Sequence, residues 1–311
     1  MPTDSVPHLI VPFAQCSGED WLQAMSSIEL KNLHQLLRGM KLTGTDTGRA
    51  DSLCPPHERA LAMACGLGAN ADGLIPWAAL EANAKPGEAW AIMTPCHWAM
   101  GREHATLTDP AMLEINEADS RHLLSAMQPY FATEGVTLHY AGPTRWLAEG
   151  DVFASLPTAS LDRVLGRNVD MWLPPSKAIK LLQNEMQMLL YTHPINDERA
   201  AKGLRSVNSF WVSGSGALTD AATDRPQINV TRSLAPSAFA NDWTAYAQAW
   251  THLDAADIAQ LLVQQNSGKT VRISLCGESN AMTFETTKPD FFSQIKNILS
   301  PQPPINLLKQ L

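Results

Sequence analysis

The chain has 311 residues, a formal net charge of −8 and a hydrophobic fraction of 45%, values typical of a well-buried globular protein and not of a disordered one. Its length allows one large domain or two ordinary ones. Lys and Arg form no basic run, which argues against nucleic acid as the main partner, because binding to a phosphate backbone requires clustered cations. A small anion can still bind in a local basic pocket.

Cysteine content and hydropathy indicate the compartment. The five cysteines are scattered and include no C-x-x-C pair, so we interpret them as reduced thiols in the cytosol. No apolar run approaches the roughly 18 residues that span a membrane. The N-terminus lacks a basic region followed by an apolar one, so we expect no signal peptide. Together these features predict a cytoplasmic protein without membrane association.

The first part of the chain is predicted to alternate strands with helices. Ser17 precedes an apolar-periodic run, so we expect it to cap a helix. The stretch 43–53 is polar and contains glycine, which favours a loop. The predicted elements are, in chain order, a buried strand over 8–14, the helix after Ser17, a helix over 30–40, the loop over 43–53, a helix that begins after Pro55 and Pro56, and a strand over 89–94.

The remainder continues this alternation. Asn116 is expected to cap a long helix, because it directly precedes an apolar-periodic run. The predicted elements are a helix over 117–132, strands over 136–140 and 144–148, an amphipathic helix over 177–191, a strand over 227–231, helices over 242–249 and 255–265, and a strand over 271–275. Strands that alternate with helices predict an α/β fold with a largely parallel or mixed sheet.

The most distinctive stretch is 192–216, T-H-P-I-N-D-E-R-A-A-K-G-L-R-S-V-N-S-F-W-V-S-G-S-G. It predicts a turn at its start, a charged helical turn over 197–202, and a strand over 208–212 that runs into a small-residue turn over 213–216. A Gly-X-Gly turn after a strand either presents bare backbone N–H groups to a ligand or simply needs positive φ. We expect strands 208–212 and 271–275 to share one sheet, since both are short apolar runs that end in glycine-containing turns.

The same stretch resembles the archaeal-type, cofactor-independent phosphoglycerate mutases, in which a similar helix, His-Pro-Val-Asn and Arg lead to Asn-x-x-Trp-x-x-Gly-x-Gly. The strand at 89–93, the helix at 117–132 and T-R-W-L-A resemble that family's inserted module. P-C-H-W near 95, R-W-L near 145 and L-C-G-E-S near 275 resemble a shorter bacterial group, the RpfE-type regulatory proteins. The resemblance implies a trimmed alkaline-phosphatase-like α/β core over 1–88 and 192–311, with a smaller inserted α/β module over 89–191.

The family's phosphoryl transfer needs two divalent metal ions and a nucleophilic serine. Pro12-Phe13-Ala14 stands where the first strand of the family ends in Asp-Gly, and Pro55-Pro56-His57-Glu58 replaces Pro-Gly-Ser-Asp. Cys276-Gly277-Glu278 replaces Asp-His at the late strand. Asp254 and Asp257 lie where the family's Asp-x-x-x-His pair is expected, without the histidine. The resemblance therefore implies a chain that lacks this apparatus.

Two functions follow from this comparison. The first is a non-catalytic relative that acts as a regulatory or small-anion-binding protein, with a small anion or an unknown protein as its partner and no cofactor. The alternative is an active mutase-like or phosphatase-like enzyme on a phosphorylated small acid, with a rearranged site that holds Mn or Zn. In the alternative, His57 and Glu58 are the candidate catalytic residues.

Each candidate site residue also has a structural interpretation. His57 and Glu58 either start a helix or support a phospho-histidine role. His97 and His104 either bind a metal ion or are ordinary packed or exposed side chains. Cys276 is either a reactive thiol or a buried structural one. The candidate ligand-binding residues are Arg145, His193, Asn196, Arg199, Asn208, Gly214 and Gly216.

The hypothesis that the chain binds a small anion depends mainly on two arginines. The planar fork of Arg145 and Arg199 suits a carboxylate or phosphate beside the Gly214 turn. Arg145 is otherwise a surface cation next to an aromatic ring. Arg199 and Asn208 otherwise satisfy backbone groups around the turn.

Overall fold

The computed structural model describes residues 6–67, 70–220, 228–287 and 304–311. The strands are β1 (His8–Val11), β2 (Met40–Thr47), β3 (Ala89–Cys96), β4 (Trp98–Met100), β5 (Ala105–Leu107), β6 (Thr137–Gly142), β7 (Arg145–Glu149), β8 (Ser209–Ala217), β9 (Ile228–Val230), β10 (Arg272–Cys276) and β11 (Asn280–Thr286). The helices are α1 (Glu19–Ser26), α2 (Lys31–Arg38), α3 (Pro56–Ala64), α4 (Trp77–Glu81), α5 (Glu117–Thr133), α6 (Leu161–Val164), α7 (Lys177–Tyr191), α8 (Pro194–Ala201), α9 (Ala235–Ala240), α10 (Trp243–Leu253), α11 (Ala259–Asn266) and α12 (Pro304–Leu308).

These elements form two compact units, and the predicted α/β class is confirmed. Unit 1 comprises the described parts of Met1–Asp51, Pro55–Gly68 and Arg225–Leu311. Unit 2 comprises those of Ser52–Cys54 and Ala69–Asp224. Unit 2 extends beyond the predicted inserted module of 89–191 on both sides. β8, which follows that range, pairs along its length with β3, and α4, which precedes it, packs against both strands.

Unit 1 is built on a mixed sheet with the strand order β2-β11-β10-β1-β9. β1 pairs in parallel with β10 and with β9, while β11 and β2 are antiparallel additions. Successive side chains of β1 alternate between the two faces. Leu9 and Val11 belong to a core that also contains Trp250 of α10, whereas Ile10 clusters with Ala60 of α3. Helices therefore cover both faces of this sheet.

Unit 2 contains an antiparallel sheet with the order β6-β7-β3-β8, beside a small β4–β5 hairpin. One face of the sheet carries Met93, Trp146 and Val212, which are buried in a core with Phe131 of α5 and Met186 of α7. The amphipathic spacing of α7 makes this packing possible, because its apolar residues recur on one face. Within the described residues, no helix of either unit is long and apolar enough to cross a bilayer.

The strands over 208–212 and 271–275 do not share a sheet, so that prediction is wrong. β8 pairs antiparallel with β3 in unit 2, and β10 pairs parallel with β1 in unit 1. An apolar run specifies a strand, but it does not specify its partner, which is set by the register of the whole ladder. The ladder of β8 spans from Ser209 opposite Cys96 to Ala217 opposite Ala89.

Two local predictions in unit 1 are also wrong. The stretch 43–53 is predicted to be a loop, but its first part, 43–47, belongs to β2 (Met40–Thr47), an edge strand paired with β11. Its side chains are mostly exposed, so the apolar alternation that marks a strand is missing. Ser17 does not cap α1, which begins at Glu19 without a side-chain cap. The Ser17 hydroxyl instead donates to Glu278 Oε2 at 2.6 Å.

Candidate functional site

The parallel strands of unit 1 define the first candidate site. In α/β sheets, ligands bind beyond the carboxyl ends of such strands. β1 and β10 end side by side, with Val11 opposite Leu275. α3 packs against both strands, and its first turn carries His57 and Glu58. The three stretches that replace the mutase motifs thus belong to neighbouring elements of unit 1.

An aromatic cluster of Phe13, His57 and Phe239 occupies this part of unit 1. The Phe13 ring centroid lies 5.5 Å from that of His57 and 4.9 Å from that of Phe239. His57 is only 6% exposed. Phe13 has φ of 57°, a left-handed conformation that is rare for a bulky residue and persists only where surrounding contacts impose it. Aromatic packing therefore stands where the resemblance implies a metal-binding carboxylate.

Polar groups near the cluster bond to other parts of unit 1. Glu278 accepts hydrogen bonds from the Ser17 backbone N–H at 3.2 Å and from its hydroxyl at 2.6 Å. Arg59 donates to Asp46 Oδ2 at 2.7 Å and to the Ser279 carbonyl at 2.9 Å. Cys276 is fully buried, and this burial raises the pKa of its thiol well above the usual value. The structural interpretation of Cys276 fits these contacts better than a reactive thiol does.

Asp254, which lies where the resemblance places the family's Asp-x-x-x-His pair, bonds to the backbone of a helix. It is 5% exposed, and its two oxygens accept from the backbone N–H groups of Asn32 at 3.1 Å and Leu33 at 2.8 Å. These are first-turn donors of α2, which a helix leaves without partners of its own. The Asp254 carboxylate therefore completes the start of a helix.

The distinctive stretch 192–216 lies in unit 2, and its first polar residues organise backbone. His193 is the N-cap of α8, with Nδ1 accepting from Ile195 N at 3.3 Å. Asn196 accepts from Val207 N at 2.9 Å and donates to the carbonyls of Leu190 and Val207, both at 2.8 Å. One amide side chain thereby ties the end of α7 to the segment that enters β8.

Arg199 is buried, with 1% of its surface exposed. Its Nε donates to the Arg205 carbonyl at 2.9 Å, and its Nη2 donates to the Leu113 carbonyl. Its Nη1 lies 3.4 Å from Asp119 Oδ2 in the first turn of α5. The guanidinium is thus engaged on three sides by unit 2 itself.

Asn208 and Arg145 also bond within unit 2. The Asn208 side chain accepts from Trp98 N at 2.7 Å and donates to Trp98 O at 3.0 Å, which fixes the start of β4 beside β8. Arg145 forms a fork with Glu81, with Nε at 3.0 Å from Oε1 and Nη2 at 2.6 Å from Oε2. The side chain of Arg145 remains 47% exposed, so it is the more accessible of the two candidate arginines.

The predicted turn over 213–216 is wrong, because these residues continue β8. Opposite them, Ile92 pairs with Ser213 and Trp90 with Gly216, so β8 carries one more residue than β3 at this point. This is a β-bulge, and Gly214 has the positive φ of 58° that such a bulge favours. Ser215 is fully buried, and its hydroxyl donates to the Leu156 carbonyl at 2.5 Å. Gly214 and Gly216 thus serve strand geometry here.

The β4–β5 hairpin does not bring His97 and His104 together. Thr108 N donates to His97 O at the base of the hairpin, and Gly101 N donates to His104 O at its tip. The base and the tip are four residues of extended chain apart, a distance of about 13 Å. His97 Nδ1 lies 2.9 Å from the Ser206 carbonyl. Among the described residues, no group of three His, Cys, Asp or Glu side chains is arranged to hold a metal ion.

Three features of the unit 1 site are missing from the sequence prediction. Phe239 follows Phe13 by more than 200 residues, and nothing local in the sequence signals their contact. The left-handed Phe13 has no signal either, because aromatic residues rarely adopt this conformation. The Arg59–Asp46 pair was missed with β2, since Asp46 lies on the strand that was predicted to be a loop.

Comparisons with known proteins give only distant structural likenesses. No protein-family model and no curated protein matches the sequence. Among solved structures, the chain is similar to a cofactor-independent phosphoglycerate mutase from Thermoplasma acidophilum DSM 1728, with 14% identity, 99% of each chain covered and a TM-score of 0.36. It is also similar to the PH0037 protein from Pyrococcus horikoshii, with 11% identity, 91% of this chain and 87% of that chain covered, and a TM-score of 0.46. At this distance, residue roles have to come from the contacts of the chain itself.

Proposed function

We propose that this chain is a non-catalytic protein that acts by binding, as a regulatory relative of the cofactor-independent phosphoglycerate mutases. The observation that carries the proposal is the aromatic cluster of Phe13, His57 and Phe239. Phosphoryl transfer with two metal ions needs carboxylates and a hydroxyl beside the metals. Phe13 follows the first strand, where the resemblance implies a carboxylate, and packs against the first turn of α3, where it implies the nucleophile.

The contacts in unit 2 support the same proposal. The candidate side chains His193, Asn196 and Asn208 bond to backbone groups, and Arg199 is enclosed by protein acceptors. These hydrogen bonds hold the fold in place. The stretch that most resembles the mutases is therefore explained by the architecture of unit 2, without a reaction.

The proposed ligand is a small anion, and Arg145 is the candidate side chain most accessible to it. Glu81 already occupies the planar fork of Arg145, so an anion must compete with that carboxylate. Surface pairs of this kind contribute only about 0–1 kcal/mol, which makes the exchange feasible. The same proposal includes a regulatory role of the RpfE type, exerted in the cytoplasm on a protein partner.

A metal titration tests the proposal. After treatment with a chelator and dialysis, calorimetric titration with Mn²⁺ is expected to show no saturable heat, because the unit 1 site has aromatic contacts in place of carboxylate ligands. Apo and Mn²⁺-treated protein should then unfold at the same temperature, since a ligand stabilises only the state that binds it. Stoichiometric binding with a raised unfolding temperature would favour the alternative, an enzyme with a rearranged site on a phosphorylated small acid.

A further inference from the structure

A polar cavity of about 280 Å³ lies in unit 1, away from the aromatic cluster. It lies beside the first residues of β1 and β9, where these two parallel strands begin, and along one side of α11. Ligands of α/β sheets ordinarily bind at the opposite, carboxyl edge. The lining residues are Pro7, His8, Leu9, Ile228, Asn229, Asp257, Gln260, Leu261 and Gln264.

The helical wall of the cavity begins with a π-helical turn, Asp254–Ile258, between α10 and α11. Such wide turns are rare and frequently accompany functional sites. Asp254 at its start bonds to the backbone of α2, whereas Asp257 lines the cavity. Gln260 and Gln264 follow Asp257 at spacings of three and seven residues, which places the three side chains on one face of the helix.

Two acceptors of this wall lack partners. Gln264 Oε1 is buried and has no hydrogen bond among the described residues. The half-buried Asp257 carboxylate also has no hydrogen-bond or ion-pair partner among the residues that the structure describes. A buried acceptor such as Gln264 Oε1 is normally matched by a donor, because a buried polar atom without a hydrogen bond is destabilising. Gln264 Oε1 therefore needs a donor, and the Asp257 carboxylate beside it has no cationic partner among the described residues.

No Lys or Arg of the described residues lines the cavity. Arg272, in the strand next to β1, donates to Glu285 at 3.1 Å. The His8 imidazole does not supply the charge either, because burial lowers its pKa to about 4 and its Nε2 lies 2.8 Å from Ser274 Oγ. Among the described residues that line the cavity, no side chain therefore supplies the complementary charge.

We propose that this cavity binds a small primary alkylammonium ion, with Asp257 and Gln264 as its main acceptors. An ammonium group offers three donors, which suit a carboxylate and amide oxygens. Leu9, Ile228 and Leu261 provide apolar wall for a short alkyl chain. Asn229 and Gln260 add amide groups at the rim. This site goes beyond the proposed function and does not depend on whether the chain is catalytic.

The test is ligand-observed NMR with full-length protein and n-butylammonium as the probe, with n-butanol and butyrate as neutral and anionic counterparts. Saturable binding of the ammonium alone is expected. Asp257→Asn should weaken it on the order of ten- to a hundredfold, the usual effect of losing a charge-assisted contact. Glu19→Gln, which removes the same charge from the exposed first turn of α1, should change it by less than about twofold.

Folding of the variants is followed in the same samples. Asp257 has no partner in the described structure, so Asp257→Asn should not lower the unfolding temperature. Gln264→Leu provides a second variant, with weaker binding expected from the lost acceptor. A further probe, Nα-acetyl-lysine amide, distinguishes a free alkylammonium ion from a lysine side chain. If it binds more tightly than n-butylammonium, the ligand is assigned to a lysine of a partner protein. Absence of saturable binding, equal binding of butyrate, or equal losses in Asp257→Asn and Glu19→Gln would overturn the proposal.

Discussion

Replacing Arg199 with alanine is expected to lower the free energy of unfolding by about 3–5 kcal/mol, the usual effect of removing one partner from a buried charge pair. The guanidinium is 1% exposed and bonds to the carbonyls of Arg205 and Leu113. Without it, these acceptors and the Asp119 carboxylate, whose side chain is only 16% exposed, lose a donor. Urea unfolding followed by tryptophan fluorescence measures the change.

Arg145→Ala is the matched control, because it breaks an arginine–carboxylate pair of the same unit in a half-exposed setting. Its effect should be about 0–1 kcal/mol, as for other surface pairs. Arg199 would lose its structural role if the two variants unfolded at the same urea concentration. Saturable phosphate binding that disappears in a stably folded Arg199→Ala protein would instead restore the ligand-binding interpretation of this residue.

Gly214→Ala is expected to destabilise the protein by about 2–5 kcal/mol, from a left-handed backbone penalty of about 1–2 kcal/mol and overpacking of about 1–3 kcal/mol. Gly214 has φ of 58° within the bulge of β8. A Cβ atom added there would lie 2.9 Å from Ile92 Cδ1 and 3.0 Å from Trp77 Cβ. Denaturant unfolding of the variant measures the sum of the two effects.

Gly203→Ala separates these effects. Gly203 follows α8 with φ of 71°, but a Cβ atom added there has no atom within 4 Å. Its replacement should therefore cost only the backbone term, about 1–2 kcal/mol. Equal destabilisation by the two substitutions would show that Gly214 is not packed between Ile92 and Trp77.

The sequence predicts well those elements whose signals are local. The helix predicted over 177–191 matches α7, because its apolar spacing and the N-cap Ser176 lie within or next to the helix itself. Asn116 likewise caps α5, accepting from Asp119 N at 2.8 Å as its position before the apolar run indicated. These signals do not depend on the rest of the chain.

The sequence fails where a feature depends on distant contacts. β8 was assigned to the wrong sheet because its partner β3 lies more than 100 residues earlier. β2 was missed because an exposed edge strand need not alternate apolar and polar residues. The small-residue run of β8 was interpreted as a turn, since only the paired strand shows that Gly214 forms a bulge. Similarly, no local pattern indicates that Arg199 is enclosed or that Phe13 packs on Phe239.

A measurement of turnover tests most directly the proposal that the chain is not a phosphoglycerate mutase. The measurement is the interconversion of 2- and 3-phosphoglycerate by purified protein, with and without added Mn²⁺, beside His57→Ala as a control. We expect no rate above the blank under either condition, because losing even one catalytic group commonly removes several powers of ten of activity. Turnover by the wild-type protein that disappears in His57→Ala would contradict the proposal and identify His57 as part of an active site.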